Sequence, residues 1–235
     1  MSGYAYYPGC SLHATAREFD ESMKAVAGRL GLELHEVEDW VCCGATPAHA
    51  IDPESAEILG LWNLAHAAKG GKSEPLLTGC ASCFARLRAV RTELRERPDH
   101  VAGIAEGLKK AGLQADPDQE VLHIAQVLME PAMQEKIKAE TRRPLAGLKV
   151  ACYYGCLLTR PRGAGIDDPE DPHILEDLVR LLGAEPVDWP LRLDCCGASM
   201  ALPRADLVHE LSGKILAMAH KRGAEVLMVA CPLCH

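Results

Sequence analysis

The chain has 235 residues, 48% apolar and 25% charged, enough to bury a core as one large domain or two small ones. Its net charge of −8 argues against nucleic acid as the main partner, because phosphate binding needs clustered Lys and Arg. No window approaches the roughly 18 to 20 apolar residues of a membrane span, and MSGYAYYPGC lacks the regions of a secretory signal, so a cytoplasmic protein without a span is expected.

Strands and helices alternate along the sequence. Strands are predicted at Tyr4–Tyr7, Glu33–Val37 and Pro75–Thr78. Between them fall two predicted helices. One covers Ala16–Leu30, with Phe19, Met23, Val26 and Leu30 on one face and Gly31 as its stop, and the other covers Pro53–Lys69. The stretch Glu93–Leu148 reads as a partly packed linker with helices at Glu120–Leu128 and Met133–Thr141, its charges a solvated face. The series then begins again, with strands at Lys149–Tyr154, Pro186–Trp189 and Glu225–Ala230 and helices at Pro172–Leu182 and Pro203–Arg222. This pattern predicts an α/β fold of two pseudo-symmetric, Rossmann-like halves from an internal duplication, each with a small parallel sheet. The halves span residues 1–92 and 149–235, with the helical linker 93–148 packed between them.

The eleven cysteines follow the same repeat. The first half reads YYPGC to Cys10, VCCGA around Cys42 and Cys43, and CASC from Cys80 to Cys83. The second reads YYGC to Cys156, DCCGA around Cys195 and Cys196, and CPLC from Cys231 to Cys234. Cys152 has no counterpart, since Tyr6 stands at the matching position, and it reads as a small apolar residue of a buried strand. A reducing cytosol disfavours disulfides and an odd count leaves one thiol unpaired, so metal binding is the leading explanation.

Zinc takes four ligands, whereas each half offers five. Neighbouring cysteines diverge and reach different irons of one cluster more easily than one tetrahedral ion. The glycine after each pair lets the backbone approach an inorganic core. Iron–sulfur chemistry is therefore expected, with zinc and metal-free redox thiols as the alternatives.

The duplicated pattern, a single cysteine followed by Cys–Cys–Gly and then Cys–x–x–Cys, resembles the CCG cysteine-rich domain of the heterodisulfide reductase B subunit. The match extends over essentially the whole chain and is especially close in CYYGCLLTRP, Cys152 to Pro161. The resemblance implies two noncubane [4Fe–4S] clusters. By motif position the first falls on Cys10, Cys42, Cys43, Cys80 and Cys83, and the second on Cys156, Cys195, Cys196, Cys231 and Cys234. It further implies a disulfide substrate between the clusters, reduced or formed there, and electrons from a ferredoxin-like C subunit fed by a flavin-containing A subunit. No ferredoxin-type cysteine run occurs in this chain, so a partner must supply electrons. The family also continues past its last Cys–x–x–Cys, so residues beyond His235 are expected. Similar domains occur in iron–sulfur subunits of lactate, glycolate, glycerol-3-phosphate and succinate:quinone oxidoreductases. The alternative function is therefore electron transfer or membrane association for a flavin dehydrogenase.

Outside the cysteines, Lys149, Arg160 and Arg162 lie near the second single cysteine and could grip an anionic substrate, although such residues are more often solvated surface. His13 and His49 flank ligand positions and read as surface or supporting histidines. Trp40 and Trp189 precede the cysteine pairs and are expected to cover the clusters from water.

Overall fold

The computed structural model describes residues 2–45, 51–69, 74–160 and 165–235. The first half builds a parallel sheet from β1 (Ser2–Tyr6), β2 (Leu32–Glu36), β3 (Leu76–Thr78) and β4 (Val121–His123), in the order β2-β1-β3-β4. The second builds a smaller one from β5 (Lys149–Tyr153), β6 (Glu185–Pro186) and β7 (Val226–Val229), in the order β6-β5-β7. All pairings are parallel, and β1 and β5 are the corresponding central strands. The predicted pair of pseudo-symmetric α/β halves is what forms.

Local chemistry explains the helices. A short α1 (Gly9–His13) follows β1. In α2 (Arg17–Leu30), Glu18 and Asp20 sit in the first turn and Arg29 in the last, matching the helix dipole, and Gly31 closes it in the left-handed region. The buried face is Met23, Ala27 and Leu30, whereas Val26, expected to be inward, is 45% exposed. The next helix, α3 (Pro53–Ala67), starts at an Asp52 cap that accepts from the Ser55 amide, with Pro53 in its first turn. It packs on α4 (Ala81–Glu96), which is followed by α5 (Ala102–Lys110). None of the described helices is long and apolar enough to cross a membrane.

The stretch between the halves departs from its sequence expectation. Residues 121–123 extend as β4 instead of opening a helix, because Val121 and Leu122 complete the apolar edge beside Leu76 and Leu77. The helix expected from Glu120 begins only after His123, as α6 (Ile124–Leu128), and α7 (Pro131–Glu140) follows. In the second half, α8 (Ile174–Leu181) packs against α6, and α9 (Ala205–Lys221) leads into β7. One buried cluster runs from Ala5, Leu76 and Phe84 through Val150, Cys152 and Leu175, so the halves share a core.

The halves differ at one edge. β3 is buried throughout between β1 and β4, whereas no strand lies on the far side of β7 among the described residues and Val226 is 44% exposed.

Close packing between α3 and α4 gives a stability prediction. A Cβ added at Gly60 would sit 2.6 Å from Val90 Cγ2, the end of a stiff β-branched side chain. Gly60→Ala should therefore lower stability by about 1–2 kcal/mol, overpacking outweighing the better helix propensity of Ala, and a lower urea midpoint would register it.

Candidate metal centre

Each half gathers its cysteines beyond the carboxyl ends of its parallel strands, where such sheets open a crevice. Cys10 follows β1, Cys42 and Cys43 follow β2, and Cys80 and Cys83 follow β3. Cys156, the pair Cys195 and Cys196, and the pair Cys231 and Cys234 repeat this after β5, β6 and β7. All are free thiols.

Eight of these sulfurs fall into four close pairs, one of which crosses between the halves. Cys10 Sγ lies 3.9 Å from Cys42 Sγ, Cys43 Sγ 3.3 Å from Cys83 Sγ, and Cys196 Sγ 3.3 Å from Cys234 Sγ. At the joint, Cys80 Sγ lies 3.9 Å from Cys231 Sγ. Cys10 and Cys195 are exposed, while Cys43, Cys80, Cys83 and Cys231 are buried.

Two tyrosines anchor the cysteine pairs by the same device. Tyr7 donates its hydroxyl to the Val41 carbonyl at 2.7 Å, and Tyr153 donates to the Asp194 carbonyl. Each acceptor immediately precedes a Cys–Cys pair. Val41 is held on its other side as well, its amide donating to the buried Asn63 Oδ1 at 2.9 Å. The equal spacing of Tyr7 and Tyr153 ahead of Cys10 and Cys156 is a sequence signal for this role. Asn63 carried none, since its partner comes from a distant segment.

Burial and thiol crowding set the proton affinities. Cys42 and then burial push Cys10 up, and Cys43, then Cys80, raise Cys83 strongly. Cys156 is pushed up to about 12 by burial, with Cys195 next. Cys196 is lowered to about 6, chiefly by its hydrogen bond with Cys234. Metal binding must displace the retained protons.

The other predicted residues divide. Trp189 is buried and donates to the Cys152 carbonyl at 3.0 Å, while Trp40 meets Tyr7 and the exposed His13 edge-on. Cys152 lies in the core, its thiol raised by burial first and Glu176 second. Arg160 is exposed. Lys149 opens β5 at the end opposite the cysteines, so it cannot grip a ligand there with Arg160. Arg162 and His49 lie outside the described residues.

The thiols fit an iron–sulfur core in two respects. The donor set is sulfur only, and the backbone leaves room beside it: a Cβ at Gly9, whose φ is +70°, would lie 2.9 Å from Cys83 Sγ. Among the described residues no three His, Cys, Asp or Glu side chains converge as a single ion requires.

His123 was missed by sequence reasoning. It is 1% exposed, its Nδ1 accepts from the Ala125 amide, and its Nε2–H donates to the Ala230 carbonyl at 3.0 Å. It therefore ties β4 of the first half to the residue before Cys231.

This duplicated, thiol-lined α/β architecture defines a class of cysteine-rich redox-type domains, and comparison gives the family. The family model for the cysteine-rich domain, CCG, matches twice, at residues 4–88 and 150–235. The chain belongs to this family. It is 34% identical over 233 residues to the 8-methylmenaquinol:fumarate reductase membrane anchor subunit of Wolinella succinogenes, covering 98% of this chain and 80% of that one. It is 28% identical over 238 residues to the B subunit of the ferredoxin:CoB-CoM heterodisulfide reductase of Methanosarcina mazei, covering 100% and 79%. A protein of Archaeoglobus profundus, described as similar to the heterodisulfide reductase B subunit, is 29% identical over 206 residues, covering 84% and 67%. A hypothetical protein from Helicobacter pylori shares the fold, with a TM-score of 0.74 at 14% identity over 99% of this chain, which spans 42% of that one.

Burial holds His123 neutral, lowering its pKa from 6.5 to about 4. Between these values the unfolded chain binds the extra proton, so His123 contributes stability above pH 6.5 that is lost as pH falls through 4. Unfolding free energies of metal-free protein, measured in urea, should fall by up to about 3 kcal/mol more in wild type than in His123→Gln across that window.

Proposed function

We propose that the chain is the iron–sulfur subunit of an oxidoreductase complex of the heterodisulfide reductase type, holding one cluster per half and reducing or forming a disulfide. The observation that carries this reading is the duplicated set of five free thiols beyond the strand ends of each half, the two sets meeting at Cys80 and Cys231. The first cluster is assigned to Cys10, Cys42, Cys43, Cys80 and Cys83, and the second to Cys156, Cys195, Cys196, Cys231 and Cys234. When bound, the clusters supply one-electron storage and iron that accepts sulfur.

The chain's own residues do the rest. The thiolates offset the charge of the iron. Tyr7 and Tyr153 fix the two Cys–Cys turns, so the ligand geometry need not reorganise as charge changes. Buried side chains keep water from the joint, where Cys80 is 2% and Cys231 5% exposed. The resemblance implies a substrate between the two clusters, and the described residues bury Cys80 and Cys231 while leaving Cys10 and Cys195 exposed. Reduction of a disulfide to two thiols consumes two electrons and two protons, and the electrons come from a partner, in this reading a ferredoxin-like subunit fed by a flavin subunit.

The 34% identity to a fumarate reductase membrane anchor subunit gives narrower support to a second reading, electron transfer or membrane association for a flavin dehydrogenase. The two readings part on activity of the purified complex: thiol-disulfide turnover supports the first, and quinol-dependent fumarate reduction without it the second.

Anaerobically purified protein should hold iron and sulfide for two clusters, with an electron paramagnetic resonance signal that changes on adding thiols. Cys43→Ser and Cys196→Ser should each lower iron by about half, whereas Cys152→Ser should leave it unchanged. Stoichiometric zinc in place of iron would overturn the assignment.

A further inference from the structure

The duplication is not symmetric at its joint. Between the cysteines of the first Cys–x–x–Cys stand Ala81 and Ser82, and between those of the second stand Pro232 and Leu233. Leu233, the counterpart of Ser82, has no side-chain donor. Ser82 is 5% exposed in the first turn of α4, and its Oγ lies 3.5 Å from the sulfur of Cys231 in the other half.

The backbone around this contact holds it in place. The Ala230 carbonyl, immediately before Cys231, accepts the Ala81 amide at 3.3 Å and His123 Nε2–H at 3.0 Å. The His123 tautomer is fixed, because Nδ1 already accepts from the Ala125 amide. Two donors of the first half therefore press Cys231 against α4, and the Ser82 hydroxyl, buried with that sulfur, has it as its partner. A hydroxyl hydrogen directed at a thiolate favours the more negative state of whatever metal centre that sulfur ligates.

We infer that Ser82 is a positioning residue that helps make the two thiolate sites inequivalent, its hydroxyl donating across the halves to Cys231 and raising the reduction potential of the second site. This rests on the proposed iron–sulfur reading. The first site gains no reciprocal bond, because Leu233 cannot donate one.

The test is a redox titration of anaerobic protein followed by electron paramagnetic resonance, with iron counted in each variant. Ser82→Ala should move one of two midpoints to more negative potential, leave the other in place and leave iron content unchanged. Ser82→Thr, which keeps the hydroxyl, should restore the wild-type value. Midpoints that both stay, or both move together, would overturn the inference. Infrared spectra of metal-free protein separate this from failure of the cluster reading: the Cys231 S–H stretching band, assigned by its loss in Cys231→Ala, should shift in Ser82→Ala and not in Ser82→Thr, and an unmoved band would again refute it.

Discussion

The contact on which this structure turns is the Ala230 carbonyl, gripped from the first half by His123 Nε2 and the Ala81 amide. It lies where two sheets from separate segments bring their carboxyl ends together. Without it Cys231 would belong to its own half alone. With it, the sulfurs of Cys80 and Cys231 come within 3.9 Å, and the two sets of thiols meet. A buried carbonyl left without donors costs about 1–3 kcal/mol, so the joint resists opening.

A parallel sheet brings all its strand ends to one side, so three successive strands can each deliver cysteines to one crevice. Both halves use that geometry and both pin the Cys–Cys turn with a tyrosine hydroxyl. Their differences carry as much information. Asn63 supports the first turn from α3, the first sheet has a fourth strand, and the second exposes the edge of β7. Two thiol sets of the same make-up thus sit in different surroundings, and surroundings set the redox behaviour of any cluster held there.

Much of this was legible in the residues. The spacing of Cys10, Cys42, Cys43, Cys80 and Cys83, repeated from Cys156 to Cys234, carried the duplication and the family because ligand motifs are local in sequence. The alternation of apolar runs with amphipathic stretches carried the α/β class for the same reason. The short strand at Val121–His123 was misread as helix because three residues give no period, and only pairing with β3 made them extended. Lys149 looked close to Cys156 in sequence but stands at the other end of β5, since a five-residue strand spans about 13 Å from first to last residue.

What the sequence determined by itself, then, was the kind of chemistry and the number of repeats: thiols in fixed local motifs, placed at strand ends by a pattern readable over a few residues. Only the tertiary structure decided how the copies meet. Ser82 beside Cys231 and His123 beneath Ala230 pair residues more than a hundred positions apart. No local periodicity encodes such contacts, because they arise from the packing of one half's core on the other.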